Sequence, residues 1–371
     1  MLKSEIAEIK RLFNKDSNVI TRIAGCYVDA EKNIKLQFKN AFYSLMEEEA
    51  FKYEEIFRKT LSGTPGKHLL NMEFTIEQEK EGSAHEFLLR LRESGLEEEE
   101  LLNRFFETLI EHYGYPENYY IILIDILYDV PGKAKDNSEM EDASEEVYHA
   151  LLCSICPVSL SKPGLSYHEE KRSIEHRNRD WVVGAPMHGF LFPAFHERGT
   201  DIHSLLYFSK KPEEIGKEFV QSLFGLCPPL PANEQKEIIQ EELRKAFQGS
   251  CPYEMISNIH EEILEKMEEN ETEEEAKPLM LDKKDMLNIL EKSGACEEAI
   301  KNYERSEEAD IEVMASNILD KKKMEVRTAG INIKVDTAYM QRIRTMEIEG
   351  KKCIVIEIDE GVDINGMKIK A

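Results

Sequence analysis

The chain lacks a long apolar run. Its 371 residues include no uncharged apolar stretch that approaches the ~18 residues a membrane span needs. The amino-terminal segment MLKSEIAEIKRLFNKD has the apolar spacing of an amphipathic helix and lacks the apolar core and cleavage site of a secretory signal. These absences predict a cytoplasmic protein with no membrane partner.

The chain has fewer basic than acidic residues. The chain has 48 Lys and Arg against 73 Asp and Glu, which gives a net charge of −25. Phosphate contacts need a basic face, so the chain as a whole is not expected to bind nucleic acid or an anionic membrane. Residues 311–371 differ, because they hold 11 Lys and Arg against 10 Asp and Glu. Nucleic acid contact is therefore expected only through this segment.

Cysteine is sparse, and the chain holds no complete cofactor motif. Seven scattered cysteines, an odd number, are typical of reduced intracellular thiols and not of a disulfide framework. We interpret residues 145–156 as a helix, which would place Cys153, Cys156 and His149 near one face, within reach of a metal. No second ligand pair has matching spacing, so core cysteines are the favoured alternative.

The apolar pattern predicts an α+β fold with a mixed, largely antiparallel sheet and flanking helices. Residues 19–28 are typical of a strand, and the alternation of residues 34–38 predicts the return strand of a β-hairpin. Residues 119–130 form an apolar run typical of a central buried strand. A helical segment and a small β-rich C-terminal module follow. The predicted divisions are residues 1–210 for the α+β core, 211–310 for the helical segment with its acidic linker, and 311–371 for the β-rich module.

Two carboxylates accompany the predicted central strand. Asp125 and Asp129 lie in or just after it, and the carboxyl end of a central strand is a common place for a catalytic group. With the acidic residues of 136–142 they could also assemble a divalent-metal site, the only cofactor that this pattern allows. Acidic residues are abundant throughout the chain, so solvated surface carboxylates are the alternative.

The stretch from residue 179 to residue 209 concentrates rare residues. It contains the only tryptophan, three of the ten histidines and two arginines that could hold an anion, and we predict two antiparallel strands that turn at 197–201. His196 and His203 are candidate acid/base groups. The candidate ligand-binding residues are Arg179, His188, Arg198 and Asp201. In the alternative, Arg198 and Asp201 pair to fix the turn and the histidines are surface residues.

Several long phrases in the sequence resemble a known family. They are ITRIAGCYVDAEKN (20–33), FKYEEIFRKTLSG (51–63), LLCSICPVSLSKPGL (151–165) and RDWVVGAPMHGFLFPAFHERGTDIHSLLYFSKKPEE (179–214). The chain is similar to a family of low-GC Gram-positive bacteria called domain of unknown function 4317, over nearly its whole length. The resemblance implies a cytoplasmic bacterial protein. It implies no activity, so no functional residue is carried over.

These observations favour a cytosolic binding or regulatory protein, whose partner or small anionic ligand lies near residues 179–209. The first alternative is a metal- or acid/base-dependent hydrolase of a phosphorylated or nucleotide-like ligand, using Asp125, Asp129, His196, Arg198 and His203. The second is a factor associated with the translation machinery through its C-terminal module. That alternative needs a contiguous basic face built from Lys321–Lys323, Arg342, Arg344 and Lys351.

Overall fold

The computed structural model describes residues 1–15, 17–133, 139–249, 251–271, 277–358, 361–364 and 367–369. The chain forms two compact units, unit 1 (Met1–Pro231) and unit 2 (Ala232–Ala371). The predicted divisions at residues 210 and 310 stay predictions. Among the helices that the structure describes, none is long and apolar enough to cross a membrane.

Unit 1 is built on an eight-stranded sheet whose strand pairs are antiparallel. Its helices are α1 (Lys3–Arg11), α2 (Glu47–Thr60), α3 (Ala84–Glu93), α4 (Glu99–His112) and α5 (Lys217–Phe224), with a short 3-10 helix at Phe42–Ser44. Its strands are β1 (Ile20–Val28), β2 (Ile34–Ala41), β3 (Leu69–Glu73), β4 (Tyr119–Lys133), β5 (Glu139–Leu160), β6 (Leu165–His168), β7 (Ser173–His176), β8 (Trp181–Val183), β9 (His188–Phe192), β10 (Ala194–His196), β11 (Gly199–Asp201) and β12 (Ser204–Ser209). The sheet order is β2-β1-β4-β5-β9-β12-β3, and β8 pairs with β5. The predicted α+β class is confirmed.

The sheet of unit 1 has a helical layer on each face. Side chains alternate between the two faces of a strand, so β4 contributes Ile121 and Leu123 to one core and Ile122 and Ile124 to the other. The first core also contains residues of α3, α4 and α5, and the second contains residues of α1 and α2. This double burial explains the continuous apolar run of β4, which was predicted as a central strand.

The predicted helix at residues 145–156 is wrong, because this segment lies within β5. The strand pairs with β4 on one side and with β9 on the other. From Ala150 to Cys156 every residue is buried, since both faces of the sheet are covered. A strand buried on both faces shows no alternation of polar and apolar residues, and it is then easily mistaken for a buried helix.

The predicted hairpin of residues 181–208 is present, but its first arm is divided into short strands. β9 and β12 pair within the main sheet, while β10 and β11 form a separate ribbon. Glu197 and Arg198 connect that ribbon, and both have positive φ angles, 49° and 60°. Such angles are uncommon outside glycine and asparagine, so contacts of these two residues must hold the turn.

Unit 2 combines helices with small antiparallel hairpins. Its helices are α6 (Ala232–Ala246), α7 (Tyr253–Glu271), α8 (Lys283–Lys292), α9 (Glu297–Arg305) and α10 (Ala315–Ile318), with a 3-10 helix at Thr337–Arg342. Its strands are β13 (Met280–Leu281), β14 (Val313–Met314), β15 (Lys323–Thr328), β16 (Ile331–Asp336), β17 (Ile343–Ile348), β18 (Lys351–Ile356), β19 (Val362–Ile364) and β20 (Met367–Ile369). Residues of α6, α7, α8 and α9 share one apolar core.

Candidate functional site

A cleft of about 610 Å³ lies in unit 1, where α4 ends and β9 and α5 begin. The segment after α4 contributes Tyr113 and Tyr115, and α5 contributes Phe219. The rings of Tyr113 and Tyr115 stack with centroids 6.1 Å apart, and Phe219 meets Tyr113 edge-on at 5.3 Å. The cleft therefore has aromatic walls. Its other lining residues are His112, Gly114, Pro116, Met187, His188, Lys211, Glu214, Gly216, Lys217 and Glu218.

His188 is the most constrained polar group of this cleft. Its Nε2 lies 3.0 Å from the Glu214 carbonyl oxygen, and its Nδ1 lies 2.8 Å from the Tyr113 hydroxyl. Because a carbonyl only accepts, Nε2 carries the proton, and Nδ1 accepts from the tyrosine hydroxyl. Burial lowers the pKa of His188 and raises the pKa of Tyr113, so the pair is neutral at physiological pH.

Part of the cleft lining is charged. Lys211 forms an ion pair with Glu214 at 2.8 Å, and Gly216 adopts a left-handed φ of 73° immediately before α5. The first N–H groups of a helix lack an intrahelical acceptor and favour a negatively charged partner. An apolar wall, a fixed histidine and a cation beside a helix start give the cleft both shape and polarity.

Of the four predicted ligand residues, His188 is the one that belongs to the lining of this cleft. The Arg179 Nε donates to the Ser161 carbonyl oxygen at 2.7 Å. The predicted pair of Arg198 with Asp201 is wrong. Arg198 instead donates to Glu8 and to the Pro131 carbonyl oxygen, each at 2.9 Å. Asp201 accepts the backbone N–H of His203 at 3.1 Å.

The contacts of Arg198 fix the β10–β11 turn against α1. The backbone N–H of Glu197 donates to the buried Glu5 of α1 at 2.7 Å. Arg198 reaches Glu8, one turn further along the same helix. These two contacts account for the left-handed turn residues, and they give Arg198 a structural role within unit 1.

Four of the five residues of the predicted hydrolase have separate partners. His196 lies 3.5 Å from Glu5, and His203 pairs with Glu79 at 2.7 Å. Asp125 is buried and contacts neither of them, while Asp129 is exposed. With Arg198 bound to Glu8, the contacts do not gather these groups into one site. The hydrolase stays a prediction.

Asp125 has a different histidine as its partner. Its Oδ1 accepts from the His149 Nε2 at 2.7 Å, and its Oδ2 accepts from the Thr21 hydroxyl. β1, β4 and β5 are neighbours in the sheet and bring the three residues together. A buried carboxylate that orients a partly exposed histidine is an arrangement found in acid/base sites. The sequence prediction missed this pair, because it placed His149 on a helix with the cysteines.

Cys153 and Cys156 lie on opposite faces of the sheet. Cys153 belongs to the core beneath α3, α4 and α5, and Cys156 to the core beneath α1 and α2. Burial raises the pKa of Cys156 to about 12 and that of Cys153 well above its usual value, so both thiols are protonated. They therefore cannot share a ligand with His149 in this fold.

The side chains that the structure describes hold no group of three or more His, Cys, Asp or Glu residues that could bind a metal ion. The acidic residues of 136–142, which the sequence prediction added to Asp125 and Asp129, have side chains outside the described part. The predicted divalent metal stays a prediction.

The aromatic walls of the cleft were not among the predicted site residues. Tyr113-Gly114-Tyr115-Pro116 directly follows α4, and this cluster of aromatic, glycine and proline residues was the available signal. Such a cluster predicts a turn, but it does not reveal which strand lies beside it. Only the fold brings His188 and Phe219 to these tyrosines.

The chain is an α+β protein whose unit 1 has an antiparallel sheet between two helical layers and a cleft with aromatic walls. The family model described as Domain of unknown function (DUF4317) matches residues 1–367. The chain belongs to this family. A search of curated proteins gave no match.

Proposed function

We propose that unit 1 binds a small planar ligand that carries an anionic group, and that the cleft containing His188 is its site. One observation carries the proposal: a neutral His188–Tyr113 pair, fixed by two hydrogen bonds, faces a cleft with aromatic walls. Ligand sites are usually apolar clefts of about 300–1,000 Å³ with a few fixed polar groups. The cleft, at about 610 Å³, is within this range.

The chemistry of the lining supports this class of ligand. Tyr115 is half-buried, and its ring is held against Tyr113 on one side, so it can stack on a planar ring with little loss of side-chain freedom. The start of α5 favours a negatively charged substituent, which would also compete with Glu214 for Lys211. Because the chain as a whole repels anions, these local groups would have to select the ligand.

The test compares planar compounds with and without a charge. Adenosine monophosphate, adenosine and indole-3-acetate are titrated into the full chain and followed by ligand-observed NMR. We expect saturable binding of the anionic probes and binding about tenfold weaker in Tyr115→Ala, because one stacked ring contributes ~1–3 kcal/mol. Tyr167→Ala, at an exposed tyrosine of β6, is the control.

Two results would contradict the proposal. One is the failure of every planar probe to saturate at concentrations up to about 1 mM, a limit near −4 kcal/mol. The other is equal binding by the wild type and Tyr115→Ala, which would place the bound probe elsewhere. Weaker binding of adenosine than of its monophosphate would identify the contribution of the anionic group.

A second candidate function rests on unit 2. A cavity of about 600 Å³ is lined by four cationic residues and two carboxylates. The cations are Lys236, Lys323, Arg327 and Lys334, and the carboxylates are Asp320 and Glu325. This local excess of positive charge supports the proposed association with the translation machinery, and Lys323 is the residue of the predicted basic face that lines this cavity.

Co-sedimentation with ribosomes at increasing salt tests this second function. We expect the full chain to co-sediment at low salt, and the double variant Lys323→Glu, Lys334→Glu to remain in the supernatant. Lys301→Glu is the control, because Lys301 already pairs with Glu297. Equal co-sedimentation of the double variant and the wild type would count against this role.

A further inference from the structure

A second cavity in unit 1 lies between the start of β1 and α2. Its volume is about 670 Å³. The 3-10 helix, the link that follows it and the first half of α2 supply apolar walls, chiefly Phe42, Tyr43, Leu45 and Phe51. None of the described residues that line this cavity belongs to the cleft of His188. It is therefore a separate site.

Glu54 is the unusual group of this cavity. Its residue surface is only 4% exposed, and its Oε2 accepts no hydrogen bond from any residue that the structure describes. Arg58 is a neighbouring cation, whose Nη1 lies 3.8 Å from Glu54 Oε2 and donates to the Phe13 carbonyl oxygen. A buried carboxylate without a donor is destabilising, because it has lost its hydration without gaining a replacement.

Burial also raises the pKa of Glu54, an effect that Arg58 only partly offsets. A donor that enters the cavity and reaches Oε2 would restore the lost hydrogen bond and favour the ionised form. The carboxylate can only accept, so the complementary ligand group is an N–H donor, and a charged donor gives the stronger bond.

We propose that this cavity binds a small organic cation, a primary amine with an apolar body, whose ammonium group donates to Glu54 Oε2. The apolar body would lie against Phe42, Leu45 and Phe51. The other charges of the lining do not oppose a cation, because Arg22 is paired with Glu97 and Glu47 balances Lys15. An acidic chain with a net charge of −25 also attracts cations.

The experiment uses 2-phenylethylamine as the probe, with 2-phenylethanol as its neutral counterpart and 3-phenylpropionate as an anion. Each is titrated into the full chain at pH 8 by calorimetry. We expect the amine to bind more tightly than the alcohol, and Glu54→Gln to weaken the amine about tenfold or more. Glu48→Gln, at an exposed carboxylate of α2 outside the lining of this cavity, should keep the wild-type affinity.

A second measurement uses only the wild-type protein, so it does not depend on whether the Glu54→Gln variant folds. The Glu54 carboxyl carbon is followed by ¹³C NMR as the pH is varied, with and without saturating amine. Binding to the ionised carboxylate requires its titration to move to lower pH when the amine is present. An unchanged titration, equal affinity for amine and alcohol, or a folded Glu54→Gln that binds the amine as the wild type does would each overturn the proposal.

Discussion

At the scale of single residues, Asp125 is a buried carboxylate of the sheet with a hydrogen bond to each of its oxygens. It is 2% exposed, and each of its oxygens accepts a hydrogen bond from a neighbouring strand, one from His149 and one from Thr21. Removing a buried acceptor leaves its donors without hydrogen bonds, and this lowers the free energy of unfolding. The residue therefore links β1, β4 and β5 through side chains as well as through the backbone.

Asp125→Ala is expected to lower the free energy of unfolding by about 2–3 kcal/mol, because two hydrogen bonds are lost in a buried place. Denaturant unfolding of the full chain measures it. Asp129→Ala changes an exposed carboxylate near the end of the same strand and should stay within ~0.5 kcal/mol of the wild type. Equal effects of the two substitutions would rule out this account of Asp125.

His260 gives unit 2 a predicted dependence on pH. It is the only histidine in residues 232–371, and burial, helped by Lys236, lowers its pKa to about 4. An unfolded histidine has a pKa of about 6.5, so between these values the unfolded state binds more protons than the folded state. Stability should therefore fall as the pH falls from about 6.5 to 4, and His260 should contribute nothing above about pH 7.

The variant His260→Leu does not titrate, so its stability should fall less steeply across the same pH range. We expect the difference to reach at most about 3 kcal/mol near pH 4, which corresponds to the change in pKa. Denaturant unfolding followed by circular dichroism measures it. Parallel stability profiles for the variant and the wild type would show that His260 is freely protonated in the folded state.

At the scale of elements, α2 comes unusually close to the sheet at Gly189. A Cβ at this position would overlap the carbonyl oxygen of Cys153 and the Cγ2 of Thr60. The Thr60 hydroxyl is also within 2.7 Å of the Ser154 hydroxyl, so helix and sheet are joined here by a buried hydrogen bond. Glycine is required at this position because Cys153 and Thr60 lie so close to it. It is not required by the backbone conformation of β9, which is that of an ordinary strand.

Gly189→Ala is expected to destabilise unit 1 by about 1–3 kcal/mol, the range typical of overpacking, because the Cys153 backbone cannot move aside as a side chain can. Thermal unfolding of the full chain provides the measurement. Gly164→Ala is the matched control, since a Cβ there meets nothing within 4 Å. A variant as stable as the wild type would mean that α2 can shift away from the sheet.

How much the sequence could predict depends on the surroundings of each element. β4 was predictable because its apolar run is bounded by proline residues, and the β1–β2 hairpin because apolar and polar residues alternate in the sequence from Ile34 to Phe38. β5 was not, because burial on both faces removes the alternation that distinguishes a strand. The residues of the cleft also differ in how far the sequence could predict them. His188 was predicted from its rarity, whereas the tyrosines beside it are adjacent only in the folded chain.

At the scale of the whole molecule, each unit has its own apolar core. Among the described residues, the two cores of unit 1 end at Leu226, and the main core of unit 2 begins at Ile239. Segments with separate cores usually unfold as separate cooperative units. The only tryptophan, Trp181, lies in unit 1, so its fluorescence reports on that unit alone.

Two core substitutions test this independence. Ile122→Ala in unit 1 should shift the tryptophan-monitored transition by about 2–5 kcal/mol, the usual cost of truncating a buried isoleucine. Ile289→Ala in unit 2 should leave that transition unchanged, while part of the circular dichroism signal is lost at lower denaturant. A common shift in both signals for Ile289→Ala would mean that the units unfold together.

The two thiols on opposite sides of the sheet also make local opening measurable. Cys153 reacts with a labelling reagent only when the layer of α3, α4 and α5 separates from the sheet, and Cys156 only when α1 and α2 do so. The rate at which each thiol is modified under native conditions then gives the fraction of time that its own layer is open. Two cysteines only three positions apart thus report separately on the opening of the two helical layers that cover the sheet.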